Sequence, residues 1–138
     1  MKRIIRGLVL AFCMTAVIVL ACGCKETEPE GKIRDLEFTV IENDEIPKAL
    51  ADVIEENKQT EMKLSYLNEG YLYIARGFGQ QETGGYSISV KECYLAEDGI
   101  HVSFELIGPP HNEKLKEEPS YPYIVIKTEG LEETILFE

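Results

Sequence analysis

The sequence predicts a mainly β (α+β) chain with one N-terminal helix, and three patterns carry that reading. From Glu61 onward the apolar residues recur with period two or in short runs, the spacing of strands. Turn signals at Asn68-Glu69-Gly70, Glu97-Asp98-Gly99, Pro109-Pro110 and Glu129-Gly130 separate those runs. Upstream, the stretch from Ile46 to Ile54 places apolar residues at helical spacing. Only the first connection carries a helix and later strands join by turns, so the sheets should be mainly antiparallel. About seven strands and one helix then make a small antiparallel β-sandwich or rolled sheet.

The elements follow in order. Leu36 to Val40 alternates apolar and polar, a first strand. Asn43 and Asp44 offer N-cap oxygens, and Pro47 sits in the first turn, where its missing N–H costs least. Ile46, Leu50, Val53 and Ile54 form the apolar stripe of a helix of about 12 residues, with Lys48, Asp52, Glu55, Glu56 and Lys58 facing water. Met62–Leu67 and Tyr71–Ala75 flank Asn68-Glu69-Gly70 as a hairpin. Tyr86, Ile88 and Val90 alternate with Ser87, Ser89 and Lys91, and Cys93–Leu95 shifts that alternation by one, as a bulge or strand end does. Val102, Phe104 and Leu106 alternate with His101, Ser103 and Glu105, and Pro109-Pro110 stops that strand. Tyr121–Lys127 and Thr134–Phe137 supply two more.

The N-terminus reads as an export signal. Met1 to Arg6 is basic, Gly7 to Ala21 is apolar except for Thr15, and Cys22 follows. Val19-Leu20-Ala21-Cys22 resembles the lipobox of bacterial lipoproteins. That resemblance implies cleavage after Ala21 and lipidation of Cys22, with Cys24 as the alternative site. Residues 1–21 are then a signal peptide, 22–32 a lipidated cysteine and polar tether, and 33–138 a single domain. The lipid would hold the chain on the bacterial cell membrane, with the domain outside the cytoplasm.

The chain has 138 residues, 14 basic and 25 acidic, for a formal net charge of −11. The part after Ala21 keeps 11 basic against 25 acidic residues, a net charge of −14. Such a body repels nucleic acid and anionic lipid, so membrane contact should be covalent rather than electrostatic.

Catalytic patterns are weak. The Gly-rich stretch from Gly77 to Gly85 opens onto a strand, not onto the helix N-terminus that a phosphate cradle needs. His101 falls on the wet face of a strand without a patterned acid, and His111 lies among lysines that interrupt any ligand spacing. Ser87 and Ser89 lie within a strand, and Cys93 reads as a small buried hydrophobe. No enzyme activity, metal or cofactor is expected. A loop of about nine residues exceeds what a hairpin requires, and such loops on rigid sheets often carry binding.

Tyr71–Gly77, Thr83-Gly84-Gly85-Tyr86, Gly108-Pro109-Pro110 and Tyr121-Pro122-Tyr123 together resemble the C-terminal domain of the PrcB protease-complex subunit family, over about residues 71–127. The resemblance implies an extracytoplasmic, often lipid-anchored β-rich domain that binds another exported protein without catalysis, in the namesake system assembling or stabilising a secreted protease complex. Thr83, Gly84, Gly85, Tyr86, Tyr121, Pro122 and Tyr123 are the candidate partner-binding residues. Thr83-Gly84-Gly85-Tyr86 also loosely resembles a loop of chagasin-type cysteine-protease inhibitors, which makes an immunoglobulin-like inhibitor the alternative. That family's other loops are not evident here. An envelope-binding or small-ligand module is a third reading.

Overall fold

The apolar runs become eight strands among the residues that the computed structural model describes, 29–111 and 117–138. The signal segment 1–21, Cys22, Cys24 and the tether up to residue 28 lie outside them. The strands are β1 (Lys32–Asp35), β2 (Phe38–Val40), β3 (Glu61–Asn68), β4 (Tyr71–Phe78), β5 (Ser87–Ala96), β6 (Gly99–Ile107), β7 (Tyr123–Glu129) and β8 (Ile135–Phe137). A 3-10 turn at Asn43–Glu45 precedes the helix α1 (Lys48–Asn57). Two four-stranded sheets result, in the orders β1-β5-β6-β8 and β2-β7-β4-β3. All pairings are antiparallel except β6 with β8, which is parallel. The predicted sandwich, with one helix, is the architecture.

The second sheet is covered on both faces. Leu72, Ile74 and Ile126 meet Leu36, Cys93, Ile100 and Val102 in an inter-sheet core. On the opposite face Tyr73, Ala75, Val125 and Met62 pack against Leu50 and Ile54 of α1. β4 is therefore buried at four successive positions, Leu72 to Ala75, where a half-buried strand would alternate. Gly77 is required by this packing, because a side chain there would collide with Met62 across the β3–β4 pair.

Three local readings are corrected. The first strand is two strands: Lys32–Asp35 pairs with β5, Phe38–Val40 pairs with β7, and the chain changes sheets at Leu36-Glu37. That crossing is fixed by Leu36 N–H donating to Cys93 O (3.0 Å) and Thr128 Oγ1 donating to Glu37 O (2.7 Å). Asn43 and Asp44 do not cap α1; they form the 3-10 turn, and Pro47 takes the N-cap position of a helix shortened to 10 residues. Val53, placed on the apolar stripe, is 39% exposed, so Ile46, Leu50 and Ile54 carry the contact.

The alternation shift in β5 is a bulge, located slightly earlier than the sequence suggested. The register slips between Val90 and Glu92, leaving Lys91 extra, so Val90 before it and Cys93 and Leu95 after it all reach the inter-sheet core. The Glu69-Gly70 turn has positive φ at both positions (50° and 82°), the two-residue geometry that matches strand twist.

Two measurements check this packing. Leu50→Ala should cost about 2–5 kcal/mol in urea unfolding, and Val53→Ala about 0.5 kcal/mol. Equal costs would mean that α1 is rotated from the orientation described. Gly99 has φ +143°, and a Cβ there would overlap the carbonyl oxygen of Thr134. Gly99→Ala should therefore cost about 2–4 kcal/mol.

Candidate functional site

Gly77 and Phe78 belong to β4, so the Gly-rich loop runs from Gly79 to Tyr86. Its backbone is tied to the lead of β7. Gln81 N–H donates to Ser120 O (2.8 Å), Ser120 N–H returns the bond (3.0 Å), and Ser120 Oγ donates to Thr83 O (2.6 Å). Gly79 (φ +73°) presses against the backbone of Thr60 and Glu61, and Gln80 N–H donates to Gln59 O (3.1 Å). The tip differs: a Cβ at Gly84 meets nothing within 4 Å, and only Gly85 (φ +86°) needs glycine for its backbone. Among the described residues no atom lies within 4 Å of that Cβ position.

The candidate aromatics are half-buried rather than exposed. Tyr123 packs beside the core under α1 and donates its hydroxyl to Asn43 Oδ1 (3.0 Å). Lys58 Nζ lies 5.8 Å from the Tyr121 ring centroid. Pro122 immediately precedes β7, where its missing N–H disturbs no ladder, and its carbonyl accepts from Phe78 N–H (3.1 Å). Tyr86, Ser87 and Ile88 at the start of β5 face Pro122, Tyr123 and Ile124 at the start of β7 across an open cleft of about 210 Å³. Two motifs distant in sequence thus share one cleft between the sheet ends. Thr83, whose carbonyl accepts from Ser120 Oγ, and Gly84 lie on the loop that leads into Tyr86.

The rest of the sheet surface corrects one reading. His101 is not a solitary wet-face residue: its Nε2 lies 2.7 Å from Asp98 Oδ1 and its Nδ1 2.5 Å from Glu138 Oε1. Its side chain is 15% exposed and stacks on Tyr94, with ring centroids 4.8 Å apart and planes 5° apart. Lys32 Nζ lies 5.6 Å from the Tyr94 ring. The signal was Asp98 three residues before His101; the partner from the far end of the chain left none. Each ring nitrogen faces a different carboxylate, so the three groups converge on no common point. Among the described residues no group of three or more His, Cys, Asp or Glu is placed to hold a metal. Cys93 faces the inter-sheet core, where burial and Asp35 push its thiol up to about 11. Because adjacent strand residues point to opposite faces, Cys93 and the Tyr94–His101 pair lie on opposite sides of their sheet. His111 is exposed, beside the undescribed residues 112–116.

A second, broader cleft of about 1010 Å³ escaped the sequence reading. Arg34, Glu37, Phe38, Tyr71, Lys127 and Glu129 are among its walls, so it is lined by charges as well as rings. Arg34 pairs with Glu129 (2.5 Å), and Lys127 Nζ sits 3.9 Å from the Tyr71 ring centroid. Phe38 and Val40 alternate like core residues in sequence, yet they are 38% and 53% exposed.

The His101 cluster has a defined pH response. The bond to Asp98, then that to Glu138, favours the imidazolium and raises the His101 pKa above its ordinary 6.5. The bond to His101 lowers the pKa of Asp98. The folded chain thus holds the His101 proton to higher pH than the unfolded chain. Its contribution is complete below about pH 6.5 and is lost as pH rises through the raised folded value. On the acid side it fades as pH falls through the lowered Asp98 value. Thermal unfolding between pH 6 and 9 should show wild type losing stability relative to His101→Gln. Parallel pH profiles would show that the cluster contributes nothing.

No curated protein and no solved structure matched the chain. A family model matched from the second residue of β4 to the last of β7. That stretch holds the Gly79–Tyr86 loop, both sides of the small cleft and the lead into β7. Residues 72–129 match the model of the PrcB C-terminal family.

Proposed function

We propose that this chain is a lipid-anchored bacterial lipoprotein whose domain binds another exported protein, a secreted protease or its complex, and catalyses nothing itself. The observation that carries this reading is the cleft of about 210 Å³ that Tyr86 shares with Pro122 and Tyr123. It is smaller than the roughly 300–1,000 Å³ of small-molecule sites and suits one or two inserted side chains. The Thr83-Gly84-Gly85 tip leads directly into Tyr86 and is tied to Ser120, as binding loops are held on rigid frames.

The direction of the chain supports the same reading. Lys32 pairs with Ala96 at the far end of β5, whereas the cleft lies at Ser87, its beginning. At about 3.3 Å per residue the two ends of that strand are about 30 Å apart. The cleft therefore lies at the end of β5 opposite to the one where Lys32 pairs. The non-catalytic part of the reading draws on Cys93 and His101 facing opposite sides of one sheet, and on neither lining either cleft. The inhibitor alternative rests on one loop, and the small-ligand alternative on a large cleft that is open and lined by charges.

Photo-crosslinking and pull-down from native membranes test the proposal with Tyr86→Ala and Gly84→Arg, the latter at a position where a Cβ meets no atom of the described residues within 4 Å. Both should lose the captured partner by at least tenfold while the melting temperature stays within a few degrees. Unchanged capture in both variants would overturn the cleft as a binding site. For the anchor, Cys22→Ser should abolish acylation and release the chain from membranes, by mass spectrometry and fractionation. Persistent acylation would move the lipid to Cys24.

A further inference from the structure

We propose that the free edge of β2 is a second protein-binding surface, which accepts an extended, apolar segment flanked by basic residues from another protein. Among the described residues β2 closes one side of its sheet and pairs with β7 alone. Ile41 N–H donates to Val125 O (3.0 Å), directly opposite in the continued β2–β7 register. The alternation of an antiparallel ladder then places Thr39 in a hydrogen-bonded pair with Lys127. Phe38 and Val40 fall in the non-bonded pairs, so their N–H and C=O groups point outward from the sheet. These are also the residues whose apolar side chains are 38% and 53% exposed. Backbone and side chain together offer a template for one more strand.

Other edges are guarded. β3 carries Glu61 and Lys63, and β1 carries Lys32, Arg34 and Asp35 with an irregular register. β8 is uncharged, but its side chains are half-buried. β2, Phe38-Thr39-Val40, has neither charge nor bulge.

Charge selects the occupant. Glu37 and Glu42 bracket β2, and Asp44 and Glu45 follow. Among the described residues none of these four carboxylates joins an ion pair. The two cations lining the broader cleft are engaged elsewhere, Arg34 with Glu129 and Lys127 over the Tyr71 ring. A second copy would bring the same acids against themselves, in a chain of net charge −11. Lys or Arg beside an alternating apolar strand fits both the ladder and the carboxylates. This surface does not depend on the loop cleft, and its test uses none of the cleft residues.

The probe is a fluorescein-labelled peptide, Lys-Val-Thr-Val-Thr-Val-Lys, titrated by anisotropy into the full chain in detergent, with a Glu-flanked twin as comparison. The Lys-flanked peptide should bind saturably and at least tenfold more tightly than the twin. Val40→Pro removes an outward N–H that β7 does not use, so it should weaken binding at least tenfold with little change in melting temperature. Glu37→Lys with Glu42→Lys should invert the preference between the peptides, and this arm decides the matter if Val40→Pro unfolds. Wild-type affinity in folded Val40→Pro, or no inversion in the charge-reversed variant, would overturn the proposal. A monomer–dimer equilibrium in sedimentation that Val40→Pro abolishes would make a second copy the occupant and overturn it equally.

Discussion

Two adjacent residues of β4, Ile74 and Ala75, are completely buried although their side chains point to opposite faces of the strand. That is only satisfied if the sheet holding them is covered twice. The other sheet covers the Ile74 face through Ile100 and Val102, and α1 covers the Ala75 face through Leu50 and Ile54. The rest of the domain arranges itself around this requirement. Burial of apolar area drives both contacts, and β4 and β7, at the centre of the sheet, contribute to each.

The double coverage also explains how the N-terminal part of the chain runs. β1 must serve the first sheet, α1 must reach the outer face of the second, and the connection passes through Leu36-Glu37 and β2. Leu36 fills the inter-sheet core at that crossing, and Thr128, only 3% exposed, satisfies its hydroxyl on Glu37 O. β2 is short because the chain turns away at Asn43 to begin the helix. Among the described residues no strand pairs with its outer edge, and Phe38 and Val40 stay partly exposed.

The candidate residues sort by the end of the sandwich they occupy. At one end, the Gly79–Tyr86 loop and the lead to β7 are joined by the Gln81–Ser120 bridge, and Tyr86 and Pro122 line the small cleft. At the other end lie the chain entry at Lys32 and the turn at Asp98, whose carboxylate holds His101. Much of this was legible. The turns, the strands β3 to β8, the bulge in β5 and the one helix all follow from local patterns of period, glycine and proline. Thr83–Tyr86 and Tyr121–Tyr123 are candidates on local motifs alone, and the Gln81–Ser120 bridge holds their two segments close. Less legible was how deeply the tyrosines sit, because burial depends on what covers a strand and not on its own alternation.

Local chemistry therefore determined the fold class of this protein: strands in apolar alternation, one amphipathic helix, and turns where glycine relieves the backbone. These properties act between residues close in sequence, so a linear reading recovers them. Tertiary structure decided the rest. It split Leu36–Val40 between two sheets, gave His101 a carboxylate from the end of the chain, and joined β8 to β6 in parallel. It also left Phe38 and Val40 uncovered, although they carry the same apolar signal as Leu36. The physical reason is common to all four: each depends on which distant segment occupies the neighbouring space, and that is settled only when both faces of the central sheet are buried at once.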